Sequence, residues 1–170
     1  MDYFDFYALA PAFQIEKELK GLFLQKSREY HPDFYTLASE EKKSEILLLS
    51  SKNNEAYKIL SDMDRRMKYI LDELGVLKGE GQDKLDQVFL MEMMDINEAI
   101  IDLQFDPDAA AKQKINEQVE EIESTLFKSI SPLLMQDFNS LTEENFNTFK
   151  QYYLKKKYLK RLLQQLEKMD

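Results

Sequence analysis

Hydrophobic residues recur along this chain at helical spacing. In the second half, Phe89, Met93, Ile96, Ile100 and Leu103 follow one another at intervals of three and four residues, which places them on one face of a 3.6-residue helix. Val, Ile and Thr show none of the two-residue alternation that is typical of half-buried strands. The four Gly and four Pro residues are few and act as breaks between these patterns. The chain is therefore predicted to be all-α.

Four helices are predicted before residue 75. A short aromatic helix is predicted from Tyr3 to Leu9, and a longer one from about Gln14 to Tyr30, where Pro32 stops it. A third starts near Ser39, a favourable N-cap residue, and a fourth starts at Asp62. The apolar faces of the two longer helices are predicted to contain Ile15, Leu19, Leu22, Phe23 and Tyr30 in the second helix and Ile46, Leu49, Ala56, Tyr57 and Leu60 in the third.

Residues 75–84 form a polar, glycine-bearing stretch, so they are predicted to be a linker between residues 1–74 and 85–170. After the linker, a break at Asp106-Pro107 and a helix start at Thr142 divide the chain into three helices. The second and third of these carry the apolar residues Ile115, Val119, Ile122 and Leu126, and Phe149, Tyr152, Leu159, Leu163 and Leu166, respectively. Three apolar faces predict an antiparallel three-helix bundle.

Composition and charge exclude several classes of function. A net charge of −9 and a pI near 4.8 argue against nucleic acid, which proteins hold mainly with Lys and Arg. With no Cys and one His, the chain is expected to bind no metal and no cofactor by itself. The chain starts with acidic residues, and no apolar run approaches the roughly 20 residues that a membrane span needs. A cytoplasmic location is therefore the default expectation, or an organellar matrix if a transit peptide has been removed.

The one histidine lies in the tripeptide His31-Pro32-Asp33, between two amphipathic helices. A general base oriented by Asp33 is conceivable, but the sequence shows no nucleophile elbow, phosphate-binding glycine loop or metal motif to accompany it. An enzyme is therefore not expected. A plain helix stop, with Pro32 ending one helix and Asp33 satisfying amides of the turn, is the structural alternative.

Several motifs occur in register with this tripeptide. They are Asp2-Tyr3-Phe4, Tyr30-His31-Pro32-Asp33, Ala56-Tyr57, Leu60-Ser61-Asp62, Arg66 and Tyr69. Together they resemble a J-domain over residues 2–74. The resemblance implies that His31, Pro32 and Asp33 engage a DnaK-type, HscA-like chaperone and stimulate its ATPase. It also implies that Lys20, Lys26 and Arg28 guide docking by charge, unless they are an ordinary solvated face. Phe34 and Tyr35 follow where J-domains usually have a basic residue.

The second half lacks the glycine/phenylalanine-rich and cysteine-rich segments of general J-proteins. Its first helix opens with Val88-Phe89-Leu90-Met91-Glu92, and this opening within an acidic bundle resembles the HscB family of iron–sulfur assembly co-chaperones. Once the predicted core is assigned, Leu90, Met91 and Met94 remain as surplus apolar residues about 100° or more to the side. Six carboxylates and no Lys or Arg lie between residues 86 and 106.

By that resemblance, the surplus residues bind an iron–sulfur cluster scaffold protein of the IscU-like type. The implied scaffold-binding residues are Leu90, Met91, Met94, Asp95, Glu98 and Tyr158. Two alternatives remain open: the apolar residues widen the buried face of the helix, or the bundle serves another client as a structural adaptor. The expected partners are thus a chaperone and a scaffold, without nucleic acid or membrane, and a monomer is the default oligomeric state.

Overall fold

The structure, a computed structural model, describes residues 1–15, 18–79 and 81–168. Its helices are α1 (Asp2–Phe6), α2 (Glu18–Glu29), α3 (Glu40–Leu60), α4 (Met63–Glu73), α5 (Gln87–Phe105), α6 (Ala109–Leu134) and α7 (Glu143–Glu167). No strand occurs within the described ranges, so the predicted all-α fold is confirmed. The chain divides into an N-terminal unit, residues 1–74 with 137–139, and a C-terminal unit, which holds residues 75–136 and the chain from Ser140 onward.

Side-chain caps explain where most helices begin. The Ser39 hydroxyl accepts a hydrogen bond from the Lys42 amide at 3.3 Å, and the Asp62 carboxylate accepts one from the Arg65 amide at 2.8 Å. Both bonds satisfy amides that have no partner inside the helix. Thr142 opens α7 with a reciprocal capping box to Asn145. The three predicted helix starts are therefore confirmed.

Two predicted boundaries differ from the observed ones. The first helix ends at Phe6, because Ala8 takes a left-handed conformation with φ of 53° that no helix can include. The second helix was predicted from Gln14, but Gln14 is not helical and α2 is described only from Glu18 onward. Residues 16 and 17, which the prediction also covered, lie outside the described residues.

Buried polar side chains connect the elements of the N-terminal unit. The Tyr7 hydroxyl donates to the side-chain oxygen of Asn53 at 2.8 Å. The Asn53 amide in turn donates to the Ser27 hydroxyl at 2.9 Å and to the Phe23 carbonyl at 3.2 Å. Asn53 is buried, so these directional bonds fix α3 against α2 and against the segment that follows α1.

Arg66 is the second buried polar residue of this unit. Its guanidinium donates to the carbonyl of Phe13 at 3.0 Å and to the carbonyl of Leu60. Burial lowers the pKa of Arg66, since the charged form loses hydration, although nearby Asp62 opposes the shift. Arg66 therefore ties the segment before α2 to the end of α3.

An aliphatic core holds the C-terminal unit together. Its buried members are Phe89, Met93, Ile96, Ile100, Leu103, Ile115, Val119, Leu159, Leu162 and Leu166. The apolar face predicted for α5 is buried completely, whereas on α7 Leu162 is buried and Leu163, which was predicted for the core, is only partly so. Two adjacent leucines on one helix cannot both point inward, since they lie about 100° apart.

Three residues in or next to the predicted linker, Val76, Asp83 and Asp86, contact lysine side chains of α7. The Lys150 ammonium lies 2.5 Å from the Asp83 carboxylate and donates to the Val76 carbonyl at 3.0 Å. The Lys155 ammonium lies 2.6 Å from the carboxylate of Asp86, which also caps α5. These contacts lie within the C-terminal unit, and a linker role for residues 75–84 stays a prediction.

Candidate functional site

The tripeptide His31-Pro32-Asp33 forms a compact turn between α2 and α3. His31 has an extended backbone and caps a short 3-10 turn over Pro32–Tyr35. Its Nδ1 accepts a hydrogen bond from the Asp33 amide at 3.3 Å, and its carbonyl accepts one from the Phe34 amide at 3.1 Å. Pro32 occupies the first position of the turn, where its fixed φ is favourable and no amide donor is needed. The turn is thus determined locally.

The polar side chains of this turn face solvent. The His31 side chain is 52% exposed and the Asp33 side chain 84%, with 3.8 Å between the His31 Nδ1 and an Asp33 carboxylate oxygen. Because Nδ1 accepts a hydrogen bond, the neutral imidazole carries its proton on Nε2 and can donate it to a partner. Catalysis in a water-excluded pocket would require a more enclosed histidine, so this geometry fits a docking surface.

Two aromatic residues follow the tripeptide and belong to the same turn. The Tyr35 hydroxyl donates to the Glu29 carbonyl at 2.9 Å, which ties the turn back to the end of α2. Phe34 is 74% exposed, and its ring centroid lies 5.6 Å from that of His31. An apolar ring therefore stands beside His31 at the position where J-domains usually have a basic side chain.

The three predicted basic docking residues lie on α2 but differ in environment. Lys20 and Arg28 are exposed. The Lys26 ammonium lies 4.6 Å from the centre of the Phe6 ring and 5.4 Å from that of Tyr30, so its charge already interacts with two aromatic faces. Lys20 and Arg28 are consequently better placed than Lys26 to meet a partner.

On α5, the surplus apolar side chains are exposed. Leu90 is 40% exposed, Met91 69% and Met94 65%, and the carboxylates of Asp95 and Glu98 lie in solvent beside them. The alternative that these residues widen the buried face does not fit these values. The five residues form an apolar patch with an acidic border.

Tyr158, the sixth predicted scaffold-binding residue, lies on α7 next to this patch. Its hydroxyl accepts a hydrogen bond from the Asn97 side-chain amide at 2.8 Å, and its ring meets that of Phe89 edge to face at 5.7 Å. Tyr158 is half-buried. It therefore helps to join α7 to α5 and offers only part of its ring to a partner.

Two exposed apolar residues on α5 were not among the predicted binding residues. Ile101 and Phe105 are 52% and 84% exposed. Their positions, seven and eleven residues after Met94, place them on the same side of the helix as Met94. That helical spacing from Met94 could have indicated from the sequence that both residues lie on its side of α5.

The described part of the chain was also considered for a metal site and for a membrane-spanning helix. No cluster of three or more His, Cys, Asp or Glu side chains suited to a metal ion occurs in residues 1–15, 18–79 and 81–168. Over the same described ranges, none of the helices combines the length and apolar character needed to cross a bilayer.

Comparisons with known proteins agree with this arrangement. A family model described as the HSCB C-terminal oligomerisation domain matches residues 85–167. The co-chaperone protein HscB homolog of Shewanella frigidimarina is 31% identical over 140 residues, which cover 81% of this chain and 80% of the relative. The chain belongs to the HscB family of co-chaperones. The HscB homolog of Aliivibrio salmonicida is 27% identical over 100% of this chain and 97% of its own length.

Solved HscB structures share the fold. Chaperone HscB from Vibrio cholerae superimposes with a TM-score of 0.77 at 25% identity, covering 98% of this chain and 96% of that one. Human co-chaperone HscB gives a TM-score of 0.59 at 24% identity over 98% of this chain and 83% of its own. The likeness extends over both units, so the J-domain and bundle architecture of the family applies to the whole chain.

Proposed function

We propose that this HscB-family chain stimulates ATP hydrolysis by a DnaK-type, HscA-like chaperone and delivers an IscU-like iron–sulfur scaffold protein to it. The observation that carries the proposal is the exposed His31-Pro32-Asp33 turn, held between two helices that are joined by hydrogen bonds of the buried residue Asn53. Such a turn presents polar groups in a defined geometry to a partner.

The chaperone would be engaged by the turn and guided by α2. His31 offers an N–H donor and Asp33 a carboxylate, and both are exposed. Lys20 and Arg28 add positive charge on the neighbouring helix, which speeds the encounter with an acidic partner surface. Phe34 adds apolar area next to His31.

The scaffold would bind to α5. Leu90, Met91 and Met94 supply exposed apolar contacts, and the flexible methionine side chains adapt to a partner's shape. Asp95 and Glu98 would pair with basic residues around an apolar pocket on the scaffold, and Tyr158 would complete the edge of the patch on α7.

Delivery follows from having both surfaces on one chain. A scaffold bound to α5 is held near a chaperone that is bound at the turn, so its local concentration at the chaperone rises without any new contact. ATP hydrolysis takes place in the chaperone, and no bond is made or broken on this chain.

Chaperone ATP turnover is the experiment that tests this function. Turnover by a purified HscA-like chaperone should rise with the wild-type chain and rise further when the scaffold is added. His31→Gln should bind the chaperone about tenfold or more weakly, as expected for the loss of an interface hot spot, so turnover measured near the wild-type Kd should fall close to the basal rate. Ser44→Ala, an exposed change on α3, is the control and should behave as wild type.

Other results would support only part of the proposal or contradict it. A chaperone that responds to the chain but gains nothing from the scaffold would leave the docking role in place and assign the bundle to another client. A chaperone that responds equally to wild type and His31→Gln would reduce the tripeptide to a helix stop.

A further inference from the structure

Helix α5 carries two apolar seams on different sides. The inner seam consists of Phe89, Met93, Ile96, Ile100 and Leu103, which are all buried in the bundle. The second, which we call the outer seam, consists of Leu90, Met94, Ile101 and Phe105, which are all exposed. A helix that has already buried one apolar face has no need of a second for folding, so the outer seam calls for a different explanation.

Helical geometry places the outer seam on one continuous strip. Successive residues advance by about 100°, so Leu90, Met94, Ile101 and Phe105 fall within a sector of about 60°. At about 1.5 Å per residue, the strip runs for about 22 Å from Leu90 to Phe105. It is far longer than the patch around Leu90 and Met94 alone.

We propose that the scaffold-binding surface continues along the outer seam to Ile101 and Phe105. The proposal rests on the proposed function and adds a second contact region about two to three turns beyond Met94. Between Met94 and Ile101, the polar residue Asn97 lies on the same side of the helix, and its amide donates to the Tyr158 hydroxyl. Tyr158, a predicted scaffold-binding residue, therefore borders the strip between Met94 and Ile101.

Charge favours a basic partner over a second copy of this chain. Asp95, Glu98 and Asp102 lie along the strip, and α5 contains no Lys or Arg. In a symmetric dimer the same surface meets itself, so two acidic helices would face each other and repel. A scaffold whose apolar surface is flanked by Lys or Arg avoids that repulsion and pairs these carboxylates.

The test compares exposed apolar residues on and off α5. The double variant Ile101→Ser/Phe105→Ser removes the far end of the outer seam. Met135→Ser is the matched control, because Met135 is also exposed in the C-terminal unit but follows α6 and lies outside α5. Binding of the purified scaffold to the full chain is measured by calorimetry, helix content by circular dichroism, and oligomeric state by light scattering.

We expect the double variant to bind the scaffold about tenfold or more weakly, with unchanged helix content and unchanged chaperone stimulation in the absence of scaffold. Met135→Ser should bind as wild type. If Leu90→Ser/Met94→Ser weakens scaffold binding and Ile101→Ser/Phe105→Ser does not, the extension is wrong while the proposed function stands. If neither of these two variants weakens scaffold binding, both the extension and the proposed scaffold-binding role are wrong. If the wild type is a dimer that the double variant dissociates, the seam belongs to a second copy and the extension is overturned.

Discussion

The two units of this protein are stabilised in different ways. The N-terminal unit buries Asn53 and Arg66, whose side chains bond to backbone and side-chain groups of several segments. The described core of the C-terminal unit consists of aliphatic and aromatic side chains. Ion pairs join Asp83 and Asp86 to Lys150 and Lys155 of α7. The N-terminal unit also packs apolar side chains such as Phe4, Leu60 and Ile70, so the directional bonds of Asn53 and Arg66 are added to a hydrophobic core rather than replacing one.

The difference matches the functions proposed for the two surfaces. A turn of three residues works only if the helices on both sides hold it at one angle, and hydrogen bonds of Asn53 specify that angle. A binding strip along a single helix needs only that the helix be rigid, which the inner seam of α5 ensures. Directional bonds therefore accompany the small polar site, and plain packing accompanies the extended apolar one.

The largest expected effect on stability comes from substituting one of two adjacent methionines on α5. Met93 is fully buried, so Met93→Ala should lower the free energy of unfolding of the C-terminal unit by about 2–5 kcal/mol through lost packing and a cavity. Met94 is exposed, so Met94→Ala should change it by less than about 0.5 kcal/mol yet weaken scaffold binding. Denaturant titration and calorimetry measure the two quantities. Equal losses of stability in both variants would contradict the separation of inner and outer seams.

Adjacent arginines on α4 give the next largest effect. Arg66→Met leaves the Phe13 and Leu60 carbonyls without their donor, and should destabilise the N-terminal unit by about 2–3 kcal/mol. Arg65→Met, on the exposed side of the same helix, should cost less than about 0.5 kcal/mol. Hydrogen exchange can assign the loss to a unit, because amides of α3 and α4 should lose protection while those of α5–α7 keep it. Loss of protection throughout the chain would show that the units do not unfold independently.

Much of this architecture could be predicted from the sequence, because periodicity and caps are local. The inner seam of α5 and the starts of α3, α4 and α7 follow from residue spacing and from the capping side chains Ser39, Asp62 and Thr142. The J-domain motifs and the helix that opens with Val88 identified the family.

The features that escaped prediction depend on contacts between distant residues. Asn53 lies on the buried face of α3, seven residues after Ile46, but a polar residue gives no sign of burial until Tyr7 and Ser27 are brought to it. Periodicity could not separate Leu162 from Leu163. Nor could it show that Lys26 packs on Phe6 whereas Lys20 remains exposed.

The smallest expected effect concerns the Asp83–Lys150 pair and depends on pH. Burial alone would raise the pKa of Asp83, but the Lys150 ammonium and the Lys78 amide outweigh it and hold the pKa below the usual 3.8. The ionised form is thus favoured by folding, so the pair stabilises the C-terminal unit at higher pH. That contribution is lost as the pH falls below about 3.8 and through the folded-state pKa.

Asp83→Asn should therefore lower the free energy of unfolding by about 1–2 kcal/mol near neutral pH. The difference from wild type should shrink as the pH falls below about 4, because the wild-type carboxyl then becomes protonated as well. Asp102→Asn, at an exposed carboxylate on α5, is the control and should leave the unfolding curve nearly unchanged at both pH values. A difference between Asp83→Asn and wild type that stays constant down to about pH 2 would mean that the ion pair contributes no stability, since only an ionised Asp83 can lose it on protonation.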